Sequence, residues 1–240
     1  MPEQVRGGEV GVTLPPRAAW WEGGERAFGT ATARLVDEEF DRPSLLVGWT
    51  RAHVLSHVAG NADALVNLLS WARTGVETPM YASPEARDAE IGRRAALEPR
   101  HLRAEVGAAT ERLADAVRSL PEHGWAAEVR TAQGRTVTTD EILWIRAREV
   151  WVHAIDLGTG VRFDDVPEDV LSALVDEVFG TWERRDVVPD VTVSAGNRQW
   201  GRGAIPVSGS LPEVTGWVTG RASGGGLRCD AAPPKVPAWL

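Results

Sequence analysis

Apolar residues recur at helical spacing in four long stretches of the chain. The first, "RAAWWEGGERAFGTATARLVDEEF", follows Pro15 and Pro16, and proline suits a helix start. Its Ala, Leu and Val positions predict a helix, although Gly23, Gly24 and Gly29 are poor helix formers. "DRPSLLVGW" then reads as a loop. Thr50 offers an N-cap to a second helix, "RAHVLSHVAGNADALVNLLSWART", whose stripe runs through Val54, Val58, Ala62, Leu65 and Leu69 and which Gly75 ends. "GVETPMYASPEARDAEIG" reads as a proline-punctuated connection with a short helical turn from Pro84. A third main helix follows Pro99, with Leu102, Val106, Ala109, Leu113, Ala116 and Leu120 on one face, and Pro121 stops it. Val129 and Val137, flanking "AQGR", predict a small hairpin or extended excursion. Thr138 with Glu141 forms a capping-box pattern for a fourth main helix that runs to "DLGTG".

Four amphipathic helices joined in this way predict an antiparallel bundle. After Gly160 the texture changes. "PEDVLSALVDEVFGTWERR" reads as one more helix, "DVTVSAG" and "AIPVSGS" as strands, and "LPEVTGWVTGR" as a short helix. The predicted fold class is therefore α+β: an N-terminal four-helix bundle over residues 1–164 and a smaller C-terminal α+β domain over 165–240. The tail "AAPPKVPAWL" reads as extended, with Trp239 pinning it down.

Composition narrows the setting. The net charge is −8, so no global basic field favours nucleic acid or an anionic membrane surface, and neither is expected as a partner. A single cysteine, Cys229, excludes an intrachain disulfide framework and fits a reducing compartment. It has no neighbouring histidine to activate it and reads as structural. The opening "MPEQVRGGEVGVTLPP" lacks the basic and apolar regions of a signal peptide, and no apolar run approaches a membrane span, so a cytoplasmic location is expected. Eleven tryptophans against one tyrosine and four phenylalanines read as core anchors.

Candidate chemistry lies in "REVWVHAIDLG". At about 100° per residue, Leu143, Ala147, Val150 and Ala154 form one stripe of the fourth helix, and Ile142, Arg146, Glu149 and His153 form the adjacent row. Glu149 and His153 thus project together beside the buried seam, spaced to share one small ligand. On the second helix His57 lies closer to the apolar stripe than His53 does, with Asn61 beside it, so His57 faces inward and His53 sits near the rim. If the two helices are neighbours, His57, Glu149 and His153 converge. Two imidazoles and a carboxylate with a fourth position open are the ligand set of catalytic zinc, with non-haem iron as the competing metal. "HVLSH" lacks the glutamate of a zincin helix, which excludes a metalloprotease of that type. Spacing alone leaves a second account open, in which the histidines are ordinary hydrogen-bonded bundle residues and Glu149 pairs with Arg146 or Arg148.

The segments "LLVGWTRAHVLSHVAGNADAL", "GVETPMYASPEAR", "TAQGRTV" and "REVWVHAIDLG", in that order, resemble the mycothiol-dependent maleylpyruvate isomerases, a family of the DinB-like metalloenzyme superfamily of four-helix bundles. The likeness continues through "VSGSLPEVTGWVTGR" to "PPKVPAWL". It implies a divalent metal, usually zinc, held by His57, Glu149 and His153, and an α+β domain that closes over the metal end of the bundle. It also implies conversion of maleylpyruvate to fumarylpyruvate. The thiolate of mycothiol adds to the conjugated alkene, rotation occurs about the resulting single bond, and the thiolate leaves. Coordination to the metal is the means of deprotonating that thiol near neutral pH. The substrate carries two carboxylates, which suit the planar fork of arginine, and Arg87 and Arg221 match arginines that the family places near its active site. Arg146 is a candidate partner of the metal ligands. Two alternatives share parts of this scheme: a mycothiol S-transferase acting on another electrophile, and a non-catalytic metal-binding regulatory module.

Overall fold

The Thr50 hydroxyl accepts the backbone N–H of His53 at 3.4 Å and starts a 24-residue helix, Arg51–Thr74, which ends where Gly75 turns left-handed at φ 72°. This is α2 of a computed structural model that describes residues 14–239. The opening segment read above for targeting signals lies almost entirely outside the described residues. Contacts divide the chain into two units, Met1–His153 and Ala154–Leu240. The division falls within a helix, ahead of the 164/165 boundary expected from the change in texture, because contacts are shared out by packing partners and not by element ends.

In the first unit α1 spans Ala18–Ala33, α3 Pro84–Ala95 and α4 Pro99–Arg118. The hairpin pairs β1, Glu128–Arg130, with β2, Thr136–Thr138, placing Val129 opposite Val137. Helix α5, Glu141–Asp156, carries the candidate site into the bundle. Helix α2 packs on both α3 and α4. Every member of the α5 stripe Leu143, Ala147, Val150 and Ala154 is at most 1% exposed.

Three local expectations are corrected. Helix α1 stops at Ala33, and the residues after it form a short 3-10 turn at Asp37–Glu39. Arg103 explains the stop, since its guanidinium donates to the carbonyls of Thr32 and Leu35 at 2.9 and 2.5 Å, satisfying oxygens that a continuing helix would have used. From Pro84 the chain forms a full 12-residue helix, with Ser83 as N-cap, and not a short turn. Thr138 is the last residue of β2, paired with Glu128, so it cannot cap α5; its hydroxyl donates to Asp140, immediately before the helix.

Helix α1 crosses α5 closely at Gly24. A Cβ there would lie 2.4 Å from Val150 Cγ2 and 3.0 Å from Trp151 Cδ1. The glycine that weakens the helix locally is what admits the crossing. Gly24→Ala is therefore expected to destabilise the fold by about 1–3 kcal/mol through overpacking, measured by urea unfolding.

A buried cation also joins the bundle. Arg146, 1% exposed, donates to Glu25 at 2.7 Å, to the Val58 carbonyl at 2.7 Å and to Asn61 at 3.1 Å, tying α5 to α1 and α2.

The second unit contains α6, Glu168–Arg184, followed by β3, Val191–Ala195, β4, Arg198–Trp200, β5, Ile205–Ser208, and α7, Leu211–Val218. Its sheet has the order β4-β3-β5, antiparallel between β3 and β4 and parallel between β3 and β5. Helix α7 packs on α6 and β3. The extended tail is held by Trp217, whose indole donates to the Pro234 carbonyl, and by Arg185, which donates to that of Ala238; Trp239 is buried. Among the described residues no helix is long and apolar enough to cross a membrane.

Candidate metal centre

On α2, the inward helical face that buries Val54, Val58 and Leu65 also carries His57 inward. Helix α5 brings Glu149 and His153 to meet it, one turn apart. His57 Nε2 donates to Glu149 Oε2 at 3.0 Å, and His153 Nε2 lies 3.3 Å from the same oxygen. One ligand atom from each residue fits within a 4.8 Å group, and all three residues are buried. Around a tetrahedral ion with bonds of about 2.1 Å, ligand atoms stand about 3.4 Å apart, so these side chains need little movement to share a cation. The imidazole rings of His57 and His153 stand edge to face, with centroids 4.8 Å apart, and the Trp49 ring meets His57 in the same manner at 5.5 Å.

Charge fits the same purpose. Burial works against ionisation of Glu149, but hydrogen bonds from His153 and His57, with the nearby Arg148 guanidinium, hold its carboxyl well below the usual range. An anion is thus fixed between two imidazoles. Burial, only partly offset by the bond to Glu149, pushes His57 below its ordinary 6.5. At neutral pH its ring is neutral, as a metal ligand requires.

The sign of this shift gives a prediction for the metal-free protein. Protonating buried His57 is harder in the folded chain than in the unfolded one, so its contribution to stability is present above pH 6.5 and is lost as the pH falls through the folded value. Denaturant unfolding should show a decline beginning below about pH 6.5 that His57→Gln removes.

His53 stays at the rim, half-buried, where its Nδ1 shares a hydrogen bond of 2.7 Å with the Thr50 hydroxyl. Arg146, expected near the ligands, is committed instead to Glu25, Val58 and Asn61; its partner Glu25 sits on α1, where no spacing argument connected the two. Arg87 does reach the centre. Its Nη2 donates to His57 Nδ1 at 3.3 Å, its Nη1 pairs with Asp88 at 2.8 Å, and its guanidinium lies 5.9 Å from the centroid of the Tyr81 ring.

Arg221 belongs to the second unit. It grips the fully buried Asp156 with two N–H groups, at 3.2 and 3.0 Å, and donates a third to the Thr219 carbonyl at 2.8 Å. Three of the five guanidinium N–H groups are thus engaged, and two remain. Cys229 is a half-buried free thiol.

A fold and a centre of this kind have counterparts. The family model described as "Mycothiol maleylpyruvate isomerase N-terminal domain" matches residues 21–158. A crystal structure of the mycothiol-dependent maleylpyruvate isomerase superposes with a TM-score of 0.90 at 39% identity, covering 94% of this chain and 98% of that one. A histidine-to-alanine mutant of an enzyme of that name matches at 38% identity with the same TM-score and coverage. No curated protein sequence matches the chain. With more than half of its length inside the family model and nearly all of it inside a 39% identical fold, the chain belongs to the mycothiol-dependent maleylpyruvate isomerase family.

Proposed function

We propose that this protein isomerises maleylpyruvate to fumarylpyruvate with mycothiol as its thiol and a divalent ion, zinc, held by His57, Glu149 and His153. The observation that carries the proposal is a buried, ionised carboxylate flanked by two imidazoles in a chain of this family. When bound, the ion would keep the thiol as a thiolate, whose reversible addition removes the double-bond character that blocks rotation.

The chain's own residues prepare that chemistry. If Nε2 of His57 held the ion, the ring proton would reside on Nδ1, which could not then accept from Arg87. The guanidinium of Arg87 would then be available to a substrate carboxylate. Trp49, packed against His57, limits water on one side of the ring. Arg221 is assigned the second carboxylate, on the family resemblance and on the two donors that Asp156 and Thr219 leave.

The test is incubation of the zinc-loaded protein with maleylpyruvate and catalytic mycothiol, following absorbance and thiol titre. Full conversion to fumarylpyruvate with the thiol undiminished supports the isomerase. Consumption of one thiol per substrate would make the protein an S-transferase, and metal uptake without turnover would leave a binding module.

A further inference from the structure

Beside the metal centre, α2, α3 and the connection between them line an open cavity of about 260 Å³ whose wall includes His57 and Arg87. Arg87, Ile91 and Arg94 share one face of α3, at spacings of four and three residues, and that face lines the cavity. Arg94 is 7% exposed and bonds Asp63 through Nη2 at 2.7 Å and approaches Glu90 through Nε at 3.0 Å. Its Nη1 is buried with no hydrogen-bond partner and lies 3.8 Å from where a Cβ on Gly60 would sit. Nothing else comes within 4 Å of that position, so α2 leaves open room above its backbone there.

An unpaired buried donor is costly and calls for an acceptor. A further carboxylate is a poor answer, because Asp63, Glu90 and Glu105 already meet the guanidinium groups of Arg94, Arg112 and Arg93, which leaves no net positive charge for it. A hydroxyl suits better: it accepts from Nη1 and donates to a carboxylate at the same time. Asn67 adds a further acceptor, since its amide nitrogen is committed to the carbonyls of Pro79 and Met80 and leaves its oxygen. Carboxylates, an amide oxygen, a guanidinium and the aromatic Tyr81 around one cavity are groups that bind neutral polyols.

We infer that the cavity between α2 and α3 receives the polyhydroxylated part of the thiol cofactor, with Asp63, Glu90 and Arg94 reading its hydroxyl groups. The inference rests on the isomerase reading and deepens it: mycothiol carries its sulfur on an acylated cysteine joined to a glucosaminyl-inositol, and the cavity is lined at one end by His57. The first substrate carboxylate is thereby left to Arg87, and the anionic and neutral ligands are sorted by the charge balance around each arginine.

Two measurements test this. The first is saturation-transfer NMR with N-acetylglucosaminyl-inositol, a neutral probe without sulfur that does not need the metal. It is expected to receive saturation from the wild-type protein and at least tenfold less from Gly60→Met, whose side chain would fill the open room, with circular dichroism confirming that the variant is folded. The second is kinetic: Gly60→Met should raise the KM for mycothiol at least tenfold and that for maleylpyruvate less than twofold. Wild-type isomerase activity without probe binding, or with an unchanged mycothiol KM in the variant, would overturn the inference and leave the isomerase reading standing. Absence of isomerase activity in the wild type would sink that reading instead, and the NMR result alone would then decide whether the polyol site exists.

Discussion

Glu149→Gln should abolish thiol-dependent isomerisation and lower metal affinity by more than about a hundredfold, while the chain still folds. Substitutions of groups that merely support metal ligands cost about 10–100-fold, and a ligand itself should cost more. The shape of the side chain is preserved, so packing is not the variable. What disappears is the anion that both His57 and His153 approach, at 3.0 and 3.3 Å. Burial opposes its charge, but the bonds from the two imidazoles outweigh that cost and hold the carboxyl well below its usual range, so the anion also supports the fold at neutral pH. The metal-free variant is accordingly expected to be less stable than the wild type at neutral pH, though still folded, as a neutral amide replaces the anion that both imidazoles approach. His57→Ala and His153→Ala should also lose the metal, and His53→Ala should retain it, because His53 is turned to Thr50 at the rim. Metal content after dialysis separates the four variants. Equal loss in His53→Ala would show that the wrong histidine had been placed inward.

Arg146→Ala should give the largest loss of stability, about 3–5 kcal/mol, by removing one member of a buried charge pair. Arg146 is the hub of the bundle interior, and without it Glu25 loses its cationic partner while the Val58 carbonyl and Asn61 each lose a donor. At about 2–4 °C per kcal/mol for a chain of this size, the melting temperature should fall by roughly 6–20 °C. Replacing both charges, as in Arg146→Met with Glu25→Met, should recover a substantial part of that loss, since a buried pair exchanged for apolar groups is often neutral. A loss under about 1 kcal/mol in the single variant would mean that water screens the pair. Calorimetric melting of the three proteins distinguishes these outcomes.

The features that proved legible in the sequence are those that depend on one element at a time. Helix α2 begins at Thr50 and ends at Gly75 because both signals act within a single turn. The inward row of α5 follows from its period, and Ile142, Arg146, Glu149 and His153 are all buried. Helix α3 was hidden for the opposite reason. Only Ile91 and Arg94 of its 12 residues are buried, so it offers no apolar stripe, and its buried face is instead partly guanidinium. Strand β4 escaped notice in the same way, as three residues with one buried side chain. Pairings between elements carry no sequence signal at all: Arg146 with Glu25, Arg103 with the end of α1, and Arg221 with Asp156 are visible only when the chain is folded. Gly24 shows how a local reading can mislead, since it appears as a weakness of α1 and serves as the contact point with α5.

The most direct test of the centre is the absorption spectrum of the protein loaded with cobalt(II) and titrated with mycothiol. Three protein ligands that leave one position for an external sulfur predict uptake of one ion per chain and a thiolate-to-metal charge-transfer band in the near ultraviolet that saturates at one equivalent of thiol. A spectrum unmoved by mycothiol, or a protein that takes up no ion, would contradict the assignment of His57, Glu149 and His153 as an open metal site.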